Sequence, residues 1–417
     1  MYLCIVEQIT TEKNQQNIHI TSKTNTTMKQ LRTMIACAGA AIALCTACNT
    51  NTESKLTASG LNPTAFDTTI NEKPVKLFTL KNKNGMEACI TNFGGRVVSL
   101  MVPDRNAQLQ DVVLGFDNIR QYADTVNTPS DFGASIGRYA NRIKDGKIKI
   151  DGTEYQLPRN NFGHCLHGGF SGWQYQVYDA VQENDSTLLL TIVSPDGDNG
   201  FPGTVKATVT YIVRNDNSLD ISYTGETDKP TVLNMTNHSY FNLNGDPTKS
   251  IENHLLYLNA YNYTPTDDTF MTNGKIEWVK DTPLDFSKPK EVGSIVNDFS
   301  IPAIKNGNGI DHNWCLESYR DGKGNDKQLA ASVYSPLTGI MLEVYTSEPG
   351  IQVYTGNFLD GTVTGKRGVT YQKHAAICLE TQKYPDTPNK PEWPSALLRP
   401  GERYTSHCIY KFGVVKE

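Results

Sequence analysis

The sequence predicts an all-β protein, one large antiparallel β-sandwich spanning residues 61–417. Three observations predict it. Apolar residues recur with period two over short runs. Clusters of Gly, Asn, Asp and Pro punctuate those runs. Amphipathic helical patterns are nearly absent. Tyr outnumbers Phe, 20 to 14, as suits strands that carry polar-tipped aromatic surfaces. No Pro/Ser linker divides the region and no clean repeat runs through it.

Each element has its own signal. Val75–Leu80 alternates in part and reads as a strand. Asn118–Tyr122 suggests one short helical turn. Lys147–Ile150 and Thr153–Leu157 flank Asp151-Gly152, a strong hairpin signature. Thr187–Val193 follows as a strand. Thr204–Arg214 and Ser218–Thr224 then flank Asn215-Asp216-Asn217, a second hairpin. Ile340–Thr346, Ile351–Thr355, Ala376–Glu380 and Tyr404–Phe412 complete the strands. Pro195–Gly200, Asn244–Pro247 and Asp321–Asn325 are turns, rich in residues that tolerate tight backbone.

The first residues read as targeting rather than fold. Residues 1–27 are polar and reflect an over-long start. Met28 opens a better one, with a basic region (Lys29, Arg32), a short apolar run from Thr33 to Leu44, and Cys45-Thr46-Ala47-Cys48. This pattern resembles a bacterial lipoprotein signal with Cys48 as the lipidated first residue, although Cys45 departs from the usual Leu. The expected organisation is a start and signal over 1–47, a flexible tether over 48–60, and the β domain over 61–417. The expected location is outside the cytoplasm, in the periplasm or at the outer membrane, held to membrane only by the lipid.

Composition excludes several classes. Hydrophobic residues make up 38%, and 33 glycines bring the apolar share into the globular range, so the chain is not mostly disordered. Net charge is −5 with no basic block, which gives phosphate-directed nucleic-acid binding no support. No Cys-x-x-Cys follows Cys48, which excludes a zinc ribbon. Cys89, Cys165, Cys315, Cys378 and Cys408 are odd in number and widely spaced. They read as buried free thiols.

Six polar clusters sit beside turn glycines or strand ends: Gly137–Ile143, Leu166–Gly169, Thr236–Leu243, Gly309–Asn313, Gly350–Asn357 and Leu379–Gln382. Taken singly, each has a structural role open to it. Arg142 could pair an ion on the surface, His238 could be a core histidine, and Asp311 could cap a turn. His164 and His167 flank Cys165-Leu166 without a second spaced ligand set, a weak metal signal. Glu380 is harder to dismiss, because it follows the apolar run Ala375–Leu379 and a carboxylate there is costly to desolvate. Together the clusters supply Arg, Asn and Gln donors, two histidines and two carboxylates. No nucleophile elbow, P-loop or dinucleotide fingerprint accompanies them. The inventory suits binding a polyhydroxyl ligand and moving its protons.

Gly-Arg-Tyr-Ala-Asn-Arg-Ile, Leu-His-Gly-Gly, Thr-Asn-His-Ser-Tyr-Phe-Asn-Leu, Gly-Ile-Asp-His-Asn, Val-Tyr-Thr-Gly-Asn and Leu-Glu-Thr-Gln occur in this order, followed by Tyr384–Asn389 and Leu398–Gly401. In these motifs the chain resembles the aldose 1-epimerase (galactose mutarotase) family, from about Phe78 to Phe412. The resemblance implies a galactose mutarotase-like supersandwich and interconversion of sugar anomers. It implies Glu380 as general base and His238 as general acid. It also implies that Asn141, Arg142, His167, Ser239, Tyr240, Asp311 and Gln352 hold the sugar. No metal or other cofactor is expected, the partner is a free monosaccharide, and the protein is expected to be a monomer. An ionised Glu380 near His238 is expected to hold the imidazole above its ordinary value of about 6.5. Two rival readings are a glycoside hydrolase using Asp311 and Glu380 and a non-catalytic sugar-binding lipoprotein.

Overall fold

The structure is a computed structural model that describes Lys55–Val415. Along Val205–Val213 every second residue is buried, from Val205 through Ala207, Val209 and Tyr211 to Val213. The neighbouring Ser218–Thr227 returns antiparallel, beyond a turn in which Asn217 adopts a left-handed φ of 59°. These two strands are the third and fourth of a nine-stranded antiparallel sheet. Its spatial order is Asp179–Asn184, Thr187–Ser194, Val205–Val213, Ser218–Thr227, Tyr404–Val414, Ile340–Thr346, Leu329–Tyr334, Leu255–Leu258 and Lys290–Glu291.

Two further antiparallel sheets share its core. One has four strands in sequence order: Leu77–Lys81, Glu87–Thr91, Arg96–Pro103 and Leu109–Asp111. The other has six, in the order Tyr240–Phe241, Ile377–Gln382, Gly350–Tyr354, Asp311–Leu316, Ala260–Thr264 and Glu277–Trp278. Leu188, Val209 and Val344 of the large sheet, Ile90 and Leu100 of the small one, and Val353 and Leu379 of the third join one apolar cluster. Each such buried aliphatic side chain stabilises the fold by roughly 1.5–3 kcal/mol.

The six-stranded sheet positions the site. Successive strand residues point to opposite faces. Ile377 and Leu379, Ile351 and Val353, and Trp314 and Leu316 enter the shared core. Glu380, Gln352 and Asp311 therefore emerge on the other face. That face is covered too, so all six residues of Ile377–Gln382 are buried.

Most predicted elements are present, with shifts that have local causes. The Asp151-Gly152 turn joins Lys147–Ile150 to Thr153–Gln156 as expected. Asn118 caps the short helix Ile119–Ala123, its Oδ1 accepting from the Gln121 N–H at 3.1 Å. The single strand expected over Val75–Leu80 is split at Lys76, whose N–H goes to the Asn92 side chain at 2.9 Å. Glu380 lies in the middle of its strand rather than at its end, because pairing with Gly350–Tyr354 continues to Gln382. Residues 58–60, inside the span expected as a tether, are already packed on the domain. The Ala58 N–H donates to Glu87 at 2.7 Å, the Ser59 hydroxyl bonds Ser99 at 2.9 Å, and Leu61 is buried. Cys89, Cys165, Cys315, Cys378 and Cys408 are buried free thiols. The expected signal over 1–47 and Cys48 lie outside the described residues. Among the described residues, no helix is long and apolar enough to cross a membrane.

Candidate active site

Glu380 and Gln352 face each other directly across two paired strands. Asp311 stands diagonally across from Gln352, which donates from Nε2 to the Asp311 Oδ1 at 2.6 Å. One register thus brings three polar side chains onto one wall of a cavity of about 250 Å³.

The facing wall carries His238. Its strand, Thr236–His238, pairs with Ala134–Ile136, and the Gly133 N–H donates to the His238 carbonyl at 2.9 Å. The ring lies nearly parallel to Tyr240, 5.0 Å away at an interplanar angle of 17°. Its Nε2 comes within 3.5 Å of the Glu380 Oε1, with both side chains almost fully buried. The second carboxylate oxygen, Oε2, is buried with no hydrogen-bond partner.

A pair of short strands, Arg142–Ile143 and Cys165–Leu166, builds the third side. His167 follows them at φ 50°, and Gly168 then turns the chain at φ 82°. A Cβ on Gly168 would sit 2.3 Å from the Gly137 carbonyl oxygen, so glycine is required there. The Asn141 N–H donates to the His167 Nδ1 at 3.1 Å. That bond places the ring proton on Nε2, making His167 a hydrogen-bond donor toward the cavity. Arg142 is held by Asn161, which accepts from its Nε at 3.1 Å, and by the Phe270 ring 4.8 Å beneath it. Arg138, four residues earlier, serves the fold instead. Its guanidinium is buried and donates to the carbonyls of Ser194, Pro202 and Gly203.

Burial sets the protonation preferences. It pushes the Glu380 carboxyl well above the ordinary carboxylate range, helped by the negative charges of Asp311 and Asp131 and opposed by Arg142. Asp311 is raised by burial against the same Arg142. His167 lies well below its ordinary value, chiefly through burial, with smaller effects from His238 and Arg142. His238 is also lowered, and burial is again the main cause. This corrects the expectation that a nearby carboxylate would raise it. Desolvation of the imidazolium outweighs that attraction, because the same desolvation drives Glu380 toward its neutral form.

A family model described as Aldose 1-epimerase matches residues 76–411. The chain belongs to the aldose 1-epimerase family. Galactose mutarotase from Mus musculus is 41% identical over 340 residues, which is 82% of this chain and 94% of the relative. Aldose 1-epimerase from Escherichia coli K12 is 37% identical over 344 residues, 82% of this chain and 96% of the relative. An aldose epimerase homologue from C. elegans superimposes with a TM-score of 0.72 at 31% identity, covering 82% of this chain and all of the other. Galactose 1-epimerase from Lactobacillus acidophilus gives the same TM-score at 26% identity, over 84% of this chain and 97% of that one. The fold expected from the family resemblance is the fold observed.

In this aldose 1-epimerase family member the cavity gathers nearly all of the predicted site residues. Asn141, Arg142, His167, His238, Tyr240, Asp311, Gln352 and Glu380 all line it. Ser239, also expected to hold the sugar, is not among the lining residues. It links the strand ending at His238 to the one beginning at Tyr240, and its hydroxyl donates to the Asn237 Oδ1 at 2.6 Å. Asp131, Asn161, Tyr354, Phe162 and Phe358 line the cavity without having been anticipated. Tyr354 was within reach of the sequence, since it lies two residues beyond Gln352 on the same strand and so on the same face. Asp131 has no local signal, and only the fold brings it here.

Asp131, His167 and His238 place three possible ligand atoms within 4.8 Å of one another. Their donor chemistry suits a metal poorly. His167 receives an N–H at Nδ1, so its Nε2 carries the proton and offers no lone pair to an ion at the centre.

Proposed function

We propose that the protein is an aldose 1-epimerase, interconverting the α and β anomers of free hexoses such as glucose and galactose. The observation that carries this reading is the 3.5 Å contact of the His238 Nε2 with the Glu380 Oε1 in a monosaccharide-sized cavity. The anomeric hydroxyl and the ring oxygen hang on the same sugar carbon. Two proton carriers this close can each address one of them.

Ring opening then runs as follows. Glu380 takes the proton of the C1 hydroxyl, the C1–ring oxygen bond breaks as the C1 carbonyl forms, and His238 delivers its proton to the departing ring oxygen. The aldehyde rotates about the C1–C2 bond. On reclosure the C5 hydroxyl attacks the opposite face of C1 and returns its proton to His238, while Glu380 reprotonates the carbonyl oxygen. No net proton is consumed. The His167 Nε2–H donates to the oxygens at C1 and polarises them. Asn141, Arg142, Asp311, Gln352 and Tyr240 hold the remaining ring, which keeps the open-chain intermediate in place. The contact with Glu380 is made by a histidine rather than a second carboxyl, which favours this chemistry over glycoside hydrolysis.

Polarimetry on freshly dissolved α-glucose, α-galactose and α-xylose tests the reading. Enzyme should speed the approach to the equilibrium rotation, and spontaneous rates with all three sugars would overturn it. The working state of the pair carries one proton, so the rate should follow a bell in pH. The acid limb is the gain of a second proton. Because burial lowers His238, that limb should fall below about 6.5, the value of an ordinary histidine. Because Glu380 is raised, the last proton should be lost only well above the ordinary carboxylate range. The midpoints belong to the coupled pair rather than to either residue.

The same reading has the chain exported, lipid-modified at Cys48 and working as a monomer. Lys29, Arg32, the short apolar run and Ala47-Cys48 support export. Mass spectrometry of the native N-terminus should find a lipidated Cys48. An intact Met1 would refute it.

A further inference from the structure

Asp131 is the cavity carboxylate that neither the motifs nor the reaction above accounts for. Its place follows from the backbone. The Ala134 N–H donates to the Asp131 carbonyl at 3.0 Å, and Ala134 is the register partner of His238. Gly133, between them, sits at φ 67°, where a Cβ would be 2.1 Å from the Val97 carbonyl oxygen. The buried Arg96 guanidinium straps the segment from below, donating to the carbonyls of Ser130 and Phe132 at 3.0 and 3.1 Å. The side chain so placed lies within 4.8 Å of both His167 and His238, measured between ligand atoms. Its Oδ1 is buried and has no hydrogen-bond partner. A buried carboxylate oxygen without a partner is costly unless its charge serves a neighbour.

We propose that Asp131 is a positioning carboxylate for His238, keeping the working proton on the His238–Glu380 pair; the inference rests on the mutarotase reading above. The groups facing His238 are Glu380, His167, Tyr240, Tyr354, Arg96 and Asp131. Asp131 is the main charge raising the proton affinity of His238, and Arg96 opposes it. Asp131 also raises Glu380. One carboxylate therefore favours proton retention on both members. Burial draws the shared proton toward Glu380, which is the wrong end for ring opening, and a negative charge close to His238 offsets that pull.

The test is Asp131→Asn beside Asp131→Glu, each followed by the pH dependence of kcat and KM and by NMR titration of the His238 ring. Removing the negative charge lowers the proton affinity of both groups, so the whole bell should move to lower pH by about one unit. On its basic limb kcat should fall about tenfold, as a one-unit shift requires, while KM changes little. Asp131→Glu should restore the wild-type bell. A purely structural role would lower kcat without moving either limb. A bell for Asp131→Asn superimposed on that of wild type would overturn the inference, as would equal behaviour of the Asn and Glu variants. Asp131→Ser is the second neutral variant. Failure of both neutral variants to fold would assign Asp131 to the fold and overturn it equally. The titration needs no sugar. A wild-type protein inert toward every free aldose defeats the mutarotase reading, whereas an unmoved His238 midpoint defeats only the role of Asp131.

Discussion

Glu380→Gln is expected to abolish nearly all catalysis while leaving the protein folded and somewhat more stable at neutral pH. Gln keeps the size and the hydrogen-bonding oxygen but cannot accept the C1 hydroxyl proton. Loss of a general base costs about 10²–10⁴-fold in turnover, or about 3–5 kcal/mol at 1.36 kcal/mol per tenfold. The stability change has a definite sign. The folded state holds the Glu380 proton more tightly than the unfolded chain does, since burial and the charges of Asp311 and Asp131 raise it. Wild type therefore loses stability as pH rises past the ordinary carboxylate value of about 4.3. The neutral Gln does not. Melting curves of the two proteins should converge in acid and separate toward neutral pH, with the variant higher. A variant that retains more than about a tenth of wild-type turnover rules out Glu380 as the base.

His238→Gln is expected to fall by a similar factor, about 10²–10⁴-fold, for the complementary reason that the ring oxygen loses its proton source. Sugar affinity should change far less, because Arg142, Asp311 and Gln352 remain. The two losses should not add. Acid and base act in one concerted exchange, so the Glu380→Gln/His238→Gln double variant should be only slightly slower than the slower single variant, as happens for groups that work as a unit. Losses that multiply across stopped-flow or polarimetric rates would mean that the two residues act in separate steps.

The long hairpin of the large sheet was easier to read than the strands of the four-stranded sheet. Val205–Val213 buries alternate residues, Ser218–Thr227 does so from Ile221 onward, and their hairpin stands in the sequence almost residue for residue. Glu87–Thr91 and Arg96–Pro103 are buried on both faces and carry no period-two pattern, which is why the sequence was silent about them. The same double burial hid the true extent of the Glu380 strand. The site residues were legible where a motif held them, as with Arg142, His167 and His238. Ser239 stands beside His238 in the motif but outside the cavity lining, because its hydroxyl turns back to the Asn237 side chain. Asp131 was invisible because its nearness to His238 depends on strand register, a strapping arginine and a left-handed glycine acting together. The sign of the His238 shift was misjudged because proximity of charge was visible in the motifs and depth of burial was not.

The strand Ile377–Gln382 serves the core with one set of side chains and the sugar cavity with the next. Gain or loss of one residue there would exchange the sets, turning Leu379 or Thr381 toward the sugar and Glu380 into the hydrocarbon interior. A single-residue indel would therefore remove chemistry and stability at once, and no partially working intermediate lies along that route. Preference among sugars has to diverge elsewhere, in the connections that carry Phe162 and Phe358, where length can change without shifting any strand register. Lineages descended from such a protein should differ in loop length around a wall of fixed length.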